Sequence, residues 1–118
     1  MITVWGLKSC DTCRKARAWL DGRDIDYEFK DARVDGLAVD DIAAWLDAVG
    51  GEVLVNRRGT TWRGLNDTEK ARAEDPDTAA TLLAGNPALI KRPVFVAANG
   101  AIIVGFGVVQ QKAVEALT

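Results

Sequence analysis

Ile2-Thr3-Val4-Trp5-Gly6-Leu7-Lys8-Ser9-Cys10-Asp11-Thr12-Cys13-Arg14-Lys15-Ala16 decides how this chain is read. Ile2 to Trp5 is a short β-rich run closed by Gly6, which predicts a buried strand. From Asp11 to about Asp21 the apolar residues Cys13, Ala16 and Leu20 recur at i, i+3, i+7, with Trp19 beside them. Arg14, Lys15, Arg17 and Asp21 fall on other faces, so the segment reads as an amphipathic helix, with Gly22 as its stop. Ile25, Tyr27 and Phe29 then alternate with Asp26, Glu28 and Lys30, the period of a half-buried strand. Strand, helix and strand with short connections make a βαβ unit, whose right-handed crossover sets the two strands parallel.

The rest of the chain builds outward from that unit. Val39, Ile42, Ala43, Leu46 and Val49 keep helical spacing up to Gly50-Gly51, a terminator. Val53 to Val55 is a short apolar piece leading into Asn56-Arg57-Arg58-Gly59-Thr60-Thr61-Trp62. Two further helices are expected, about Asp67 to Ala73 and Thr78 to Ala84, with Pro76 tolerated near the start of the second and Asn86-Pro87 closing it. Strand signals return at Pro93 to Ala97 and Ala101 to Val104, joined by Asn99-Gly100, a strong hairpin signal. The tail places Val109, Ala113, Ala116 and Leu117 on one helical face. The order β-α-β, helices, β-β-α predicts a single α/β domain over residues 1–118. It is a thioredoxin/glutaredoxin-like mixed four-stranded sheet, with its core at about 1–35 and 87–118 and a helical insertion at about 36–86.

Composition narrows the chemistry. The chain has 118 residues, 48% hydrophobic and 27% charged, the balance of a globular protein. Fifteen basic against seventeen acidic residues give a net charge of -2, so no bulk attraction to nucleic acid or to an anionic membrane is expected. No apolar run approaches a spanning helix. The N-terminus lacks a basic segment followed by a long apolar one, so it reads as mature protein with the cytoplasm as its default compartment. There is no histidine and there are two cysteines. A Cys-His dyad and a His-bearing zinc site are excluded, a four-cysteine zinc site would need a second chain, and no metal is expected.

The two sulfurs therefore carry the function. A thiolate is the reactive form, and a free thiol has a pKa near ~8.5. Cys10 falls where the strand-to-helix turn ends, facing unpaired N–H groups and the positive end of the helix dipole, both of which favour the anion. Lys8, Arg14 and Lys15 add positive potential, and Asp11 opposes it. Cys13 lies one turn into the helix, at the ~5.5 Å Cα separation from Cys10 that a disulfide needs. The redox reading has Cys10 attack and Cys13 resolve. The alternative treats both as small core residues, which the core-facing position of Cys13 permits.

At this point the chain resembles a known family. Trp5-Gly6-Leu7-Lys8-Ser9-Cys10-Asp11-Thr12-Cys13-Arg14-Lys15-Ala16 is similar to the first motif of the arsenate reductase-related (ArsC-like) family. Asp31 to Leu37, Asn56 to Trp62 and Ile90-Lys91-Arg92-Pro93-Val94 resemble later motifs in the same order. The chain looks most like the YffB-like branch, of suspected glutathione-dependent thiol reductases. Its CxxC also resembles that of the Spx branch, redox-sensing regulators that bind the RNA polymerase α subunit. The resemblance implies a thioredoxin-like fold with a helical insertion, Cys10 as nucleophile, Arg92 in the catalytic set, and Pro93 after a cis bond beside the thiol. Pro93 read without the motif would be a trans residue opening an edge strand. Arg58 and Asn56 would contact an anionic substrate or glutathione; without the motif the basic run is a solvated loop.

Departures from the family pattern bear on the substrate. Arsenate reductases of this family hold the oxyanion with a set of arginines. Arg92 matches one, but Asn56 stands at another, and Gly105-Phe106 lie near the third. An oxyanion needs several charge-assisted donors, so the resemblance implies a thiol reductase using glutathione as co-substrate, with no bound cofactor. An Spx-like regulator and a true arsenate reductase are the alternatives.

Overall fold

The computed structural model describes residues 1–118. The chain divides into two compact units, one of Met1–Gly36 with Arg92–Thr118 and the other of Leu37–Lys91.

The first unit holds the sheet. β1 (Ile2–Gly6) is followed by α1 (Asp11–Gly22) and β2 (Tyr27–Asp31), and the chain returns through β3 (Val94–Val96), β4 (Ile102–Val104) and α7 (Val108–Ala116). The strand order is β2-β1-β3-β4. β1 runs parallel to β2 and antiparallel to β3, and β3 is antiparallel to β4. This is the mixed four-stranded sheet that the order of elements predicts. β1 alternates as expected, with Ile2, Val4 and Gly6 buried. Val4 sits between Phe29 and Phe95 in register. Ile2, Val4, Ala16, Leu20, Phe95 and Val114 form the buried cluster, with Trp19, Ile25, Tyr27, Phe29, Ile103 and Phe106 packed against it. Burying side chains of this size stabilises by roughly 1.5–3 kcal/mol each.

Several local expectations are corrected. Gly22 does not stop α1; it is the last helical residue. Asp24 makes the turn instead, at φ 56°, and the Ile25 N–H donates to the Leu20 carbonyl at 3.1 Å. That six-to-one bond around a left-handed residue is the Schellman closure, and Asp enters the left-handed region more readily than most side chains. β2 begins at Tyr27, so Ile25 packs on the core from the preceding turn. Lys30 is half-buried, not solvated, because its ammonium lies 5.4 Å from the ring centre of Trp5, its neighbour in register. The hairpin between β3 and β4 has a three-residue loop. Ala97 accepts from Gly100 and donates to Ala101, both at 2.9 Å, and of Asn99 and Gly100 only Gly100 has positive φ, at 90°. That is a type I turn with a left-handed glycine, whereas the two-residue turn implied by Asn-Gly needs both residues left-handed. On α7 the buried residue is Val114, at 0% exposure, while Val109 is 76% exposed. The tail face drawn through Val109 is therefore wrong by about one residue position. The helix begins directly after Gly107, which leaves its first two valines at the exposed end.

The second unit is helical, with α2 (Val39–Val49), α3 (Gly51–Leu54), α4 (Thr60–Arg63), α5 (Asp67–Glu74) and α6 (Ala79–Gly85). Val53 and Leu54 lie in the short α3, and only Val55 is extended, bridging antiparallel to Ile90. α6 packs on both α2 and α5. The weakly amphipathic α5 is held at its start by a capping box: Asn66 accepts from the Glu69 N–H at 2.8 Å, and Glu69 accepts from the Asn66 N–H at 3.2 Å. No helix of the chain is long and apolar enough to cross a membrane.

Gly22 is helical, and a Cβ added there meets nothing within 4 Å. Gly22→Ala is expected to stabilise the fold by about 0.4–1 kcal/mol in urea unfolding, because Ala restricts the unfolded chain at no native cost. A loss of stability would restore Gly22 as the terminator.

Candidate active site

Four segments of the first unit meet at the C-terminal end of β1. The strand ends at Gly6, and the chain turns through Leu7-Lys8-Ser9 so that the Cys10 N–H donates to the Leu7 carbonyl at 3.0 Å. Cys10 is extended, at φ -84° and ψ 123°, and its carbonyl accepts the first intrahelical bond, from Arg14 at 3.0 Å. It is thus the N-cap of a 12-residue helix, the place where backbone donors lack partners. Cys10 is half-buried and Cys13 fully buried, and both are free thiols. Arg92 precedes Pro93 through a cis peptide bond, at the start of β3.

The two sulfurs differ in acidity. Burial pushes the Cys10 thiol up, but the donors around it outweigh burial and hold it below the ordinary cysteine value. The Cys13 N–H faces the sulfur. It does not close a capping hydrogen bond, yet its dipole favours the anion. The Arg92 guanidinium acts as donor and as positive charge, and the Cys13 thiol as a further donor. Cys13 is pushed up to about 11, by burial first and then by the neighbouring Cys10; the Leu7 N–H and Arg92 offset only part of this. The cation that acts on Cys10 is Arg92, not the Lys8, Arg14 and Lys15 of the sequence expectation. Arg14 pairs instead with Asp11 on the exposed surface.

Two residues to which the sequence assigns no role in the site shape it. Gly6 lies against Cys13: a Cβ there would sit 2.5 Å from the Cys13 Sγ and 3.3 Å from its Cβ. Asp31, at the end of β2, is 5% exposed and is the buried charged residue of the chain. Its carboxylate accepts from the N–H groups of Lys8 at 2.8 Å, Arg33 at 2.8 Å and Val34 at 3.2 Å. The Lys8 N–H holds its carboxyl below the usual carboxylate range against the opposing effect of burial, and the Arg33 and Val34 N–H groups reinforce it. A strand-ending aspartate followed by Asp35-Gly36 is a signal for such a side chain-to-backbone turn.

The residues assigned to anion recognition on the long loop lie in the second unit. Asn56 is half-buried; its N–H donates to the Leu89 carbonyl at 2.7 Å and its side-chain oxygen accepts from the Arg58 N–H at 3.2 Å. Arg58 is exposed, and its carbonyl accepts from the Arg63 guanidinium at 2.7 Å. The loop carries a further helical turn, α4, whose Trp62 ring is flanked by Arg57 at 5.5 Å and Lys70 at 5.8 Å. Near the expected position of a third arginine, Phe106 packs edge-on against Trp19, ring centres 5.6 Å apart. No group of three or more His, Cys, Asp or Glu residues is placed to hold a metal ion.

A sequence profile of the ArsC family matches residues 5–114. The chain belongs to the ArsC family. An uncharacterized protein of Haemophilus influenzae is 44% identical over 106 residues, covering 90% of this chain and 91% of its own. The global transcriptional regulator Spx of Listeria innocua is 31% identical over 99 residues, covering 81% of this chain and 73% of its own. The solved structure of the YFFB protein superposes with a TM-score of 0.88 at 35% identity over the whole of both chains. This ArsC-family chain therefore has an arsenate reductase-related, thioredoxin-like fold, close both to a YffB-like structure and to Spx regulators.

Two measurements check this geometry. Gly6→Ala is expected to destabilise the fold by about 1–3 kcal/mol through overpacking. Gly6→Ala combined with Cys13→Ala should recover much of that loss, since the obstructing sulfur is gone; additive losses in thermal unfolding would contradict the contact. Arg92→Met removes the donor and charge while leaving the burial, so the midpoint of Cys10 alkylation against pH should move up. An unchanged midpoint would remove Arg92 as the activating group.

Proposed function

We propose that this chain is a cytoplasmic thiol–disulfide oxidoreductase that uses glutathione, with Cys10 as nucleophile and Cys13 as the resolving thiol. The observation that carries this reading is a half-buried thiol of lowered pKa at a helix N-terminus, with an arginine and a second, buried thiol directed at it. The Cys10 thiolate attacks one sulfur of a mixed disulfide. The old S–S bond breaks, its electron pair leaves with the other sulfur as a thiolate, and a new bond joins Cys10 to the substrate. Cys10 then carries no charge, so one of the influences that hold Cys13 protonated is removed. Cys13 attacks the Cys10 sulfur, its proton passing to the departing substrate sulfur, so that the substrate leaves as a thiol and a Cys10–Cys13 disulfide remains. The enzyme's two thiols have been oxidised by two electrons. Two glutathione thiols, becoming one glutathione disulfide, return them.

Arg92 orients and stabilises the attacking thiolate in this scheme. Asn56, Arg58 and Pro93 are assigned to substrate contact on the family resemblance. Reduction of arsenate is disfavoured because Asn56 and Phe106 offer no guanidinium where an oxyanion would need one. A second reading, a redox-sensing regulator that contacts the RNA polymerase α subunit, draws support from the 31% identity to Spx together with the cysteine pair.

Side-by-side assays of the wild type, Cys10→Ser and Cys13→Ser on a mixed glutathione disulfide and on arsenate test the proposal. Turnover of the disulfide, little or none of arsenate, and loss of at least about a hundredfold in Cys10→Ser are expected. Arg58→Ala should raise KM for the disulfide more than it lowers kcat. No turnover, together with redox-dependent capture of the polymerase α subunit, would favour the regulator.

A further inference from the structure

The turn that delivers Cys10 to its helix is held from outside by one buried side chain. β1 and β2 are parallel and end side by side, with Gly6 opposite Asp31 in register. Beyond Gly6 the chain makes the Leu7-to-Cys10 turn, closed by the Cys10 N–H on the Leu7 carbonyl. Lys8 is the first central residue of that turn, and its N–H points away from the turn. Without Asp31 that donor would lose its partner at a partly buried site, which is unfavourable. The Oδ2 of Asp31 accepts it at 2.8 Å, while Oδ1 is held by Arg33 and Val34 in the following turn. The Asp31 N–H in turn donates to the Asp35 carboxylate at 2.7 Å. Each oxygen thus has its own partners, and the carboxylate joins two segments 23 residues apart in sequence.

We propose that Asp31 is the positioning residue for Cys10: by fixing the Lys8 N–H it sets the angle at which the turn enters α1, and so holds the Cys10 sulfur at the helix N-terminus and within reach of Arg92. The proposal rests on the thiolate reading above. It is distinct from an electrostatic role, because a carboxylate near a thiolate works against it. The charge that acts on Asp31 is that of Lys8 from the turn, with the Asp35 carboxylate on the Asp31 N–H; the charge that acts on Cys10 is that of Arg92. Asparagine at position 31 removes the negative charge and leaves one acceptor oxygen, which can serve Lys8 or the Arg33 and Val34 pair but not both. A positioning role and a charge role therefore predict opposite signs.

The test is the pH dependence of Cys10 alkylation by iodoacetamide in the full chain, mapped by mass spectrometry, with folding checked by circular dichroism. In Asp31→Asn the midpoint should move up, giving about three- to tenfold slower alkylation at pH 6. Asp35→Asn, which loosens the same segment without touching Lys8, should leave the midpoint in place. An unchanged or lowered midpoint in folded Asp31→Asn overturns the proposal. If that variant does not fold, hydrogen exchange of the Lys8 amide in the wild type decides: protection of at least about a hundredfold is expected of a partly buried charge-assisted bond, and exchange at the unprotected rate overturns it. A wild-type midpoint at the ordinary cysteine value would instead refute the thiolate reading itself, a separate outcome.

Discussion

Burial and hydrogen-bond donation oppose each other at the Cys10 sulfur, and the rest of the site depends on donation prevailing. Taking a thiolate out of water disfavours it. With no histidine in the chain, the compensation comes from fixed groups: the N-terminal amides of α1, the Arg92 guanidinium and the Cys13 thiol. None is near Cys10 in sequence except the helix itself and its Cys13. Arg92 is brought there by the sheet, since β3 lies beside β1 and starts at the level where β1 ends. The acidity of one thiol is therefore a property of strand order as well as of local sequence.

The same constraint makes the two cysteines unequal. Cys13 lies on the buried stripe of α1 with Ala16 and Leu20, and its sulfur occupies the space that the missing side chain of Gly6 leaves open. Burial raises its pKa, and so does the neighbouring Cys10. The pair thus has one thiol that ionises more readily than an ordinary cysteine and one held protonated. Asp31 adds the mechanical element: a buried carboxylate is tolerated because backbone donors surround it, and one of those donors belongs to the turn before Cys10.

The family spans both a transcriptional regulator, Spx at 31% identity, and a YffB-like structure that superposes over its full length. What separates the chemistries is the donor set. Phe106 packs into the aromatic cluster with Trp19 and Asn56 spends its side-chain oxygen on its own loop, so neither supplies the cationic partner that an oxyanion needs. The three groups of the proposed thiol chemistry, Cys10, Cys13 and Arg92, all belong to the first unit.

Much of this was legible in the residues. The 3.6-residue stripe of Cys13, Ala16 and Leu20, the alternation in β1 and the order of elements are local periodicities, and local periodicity is what a sequence displays. They determined the βαβ unit, the mixed sheet and the placing of Cys10 at a helix start. Turn chemistry was less legible: Asp24 rather than Gly22 closes α1, and Asn99-Gly100 belongs to a three-residue loop, because several turn types accept the same residues and the flanking packing selects among them. The tertiary structure alone decided which cation serves Cys10, why Gly6 has no side chain, and which donors surround Asp31. Each is a contact between segments distant along the chain or across a strand pair, and no spacing within one segment encodes it.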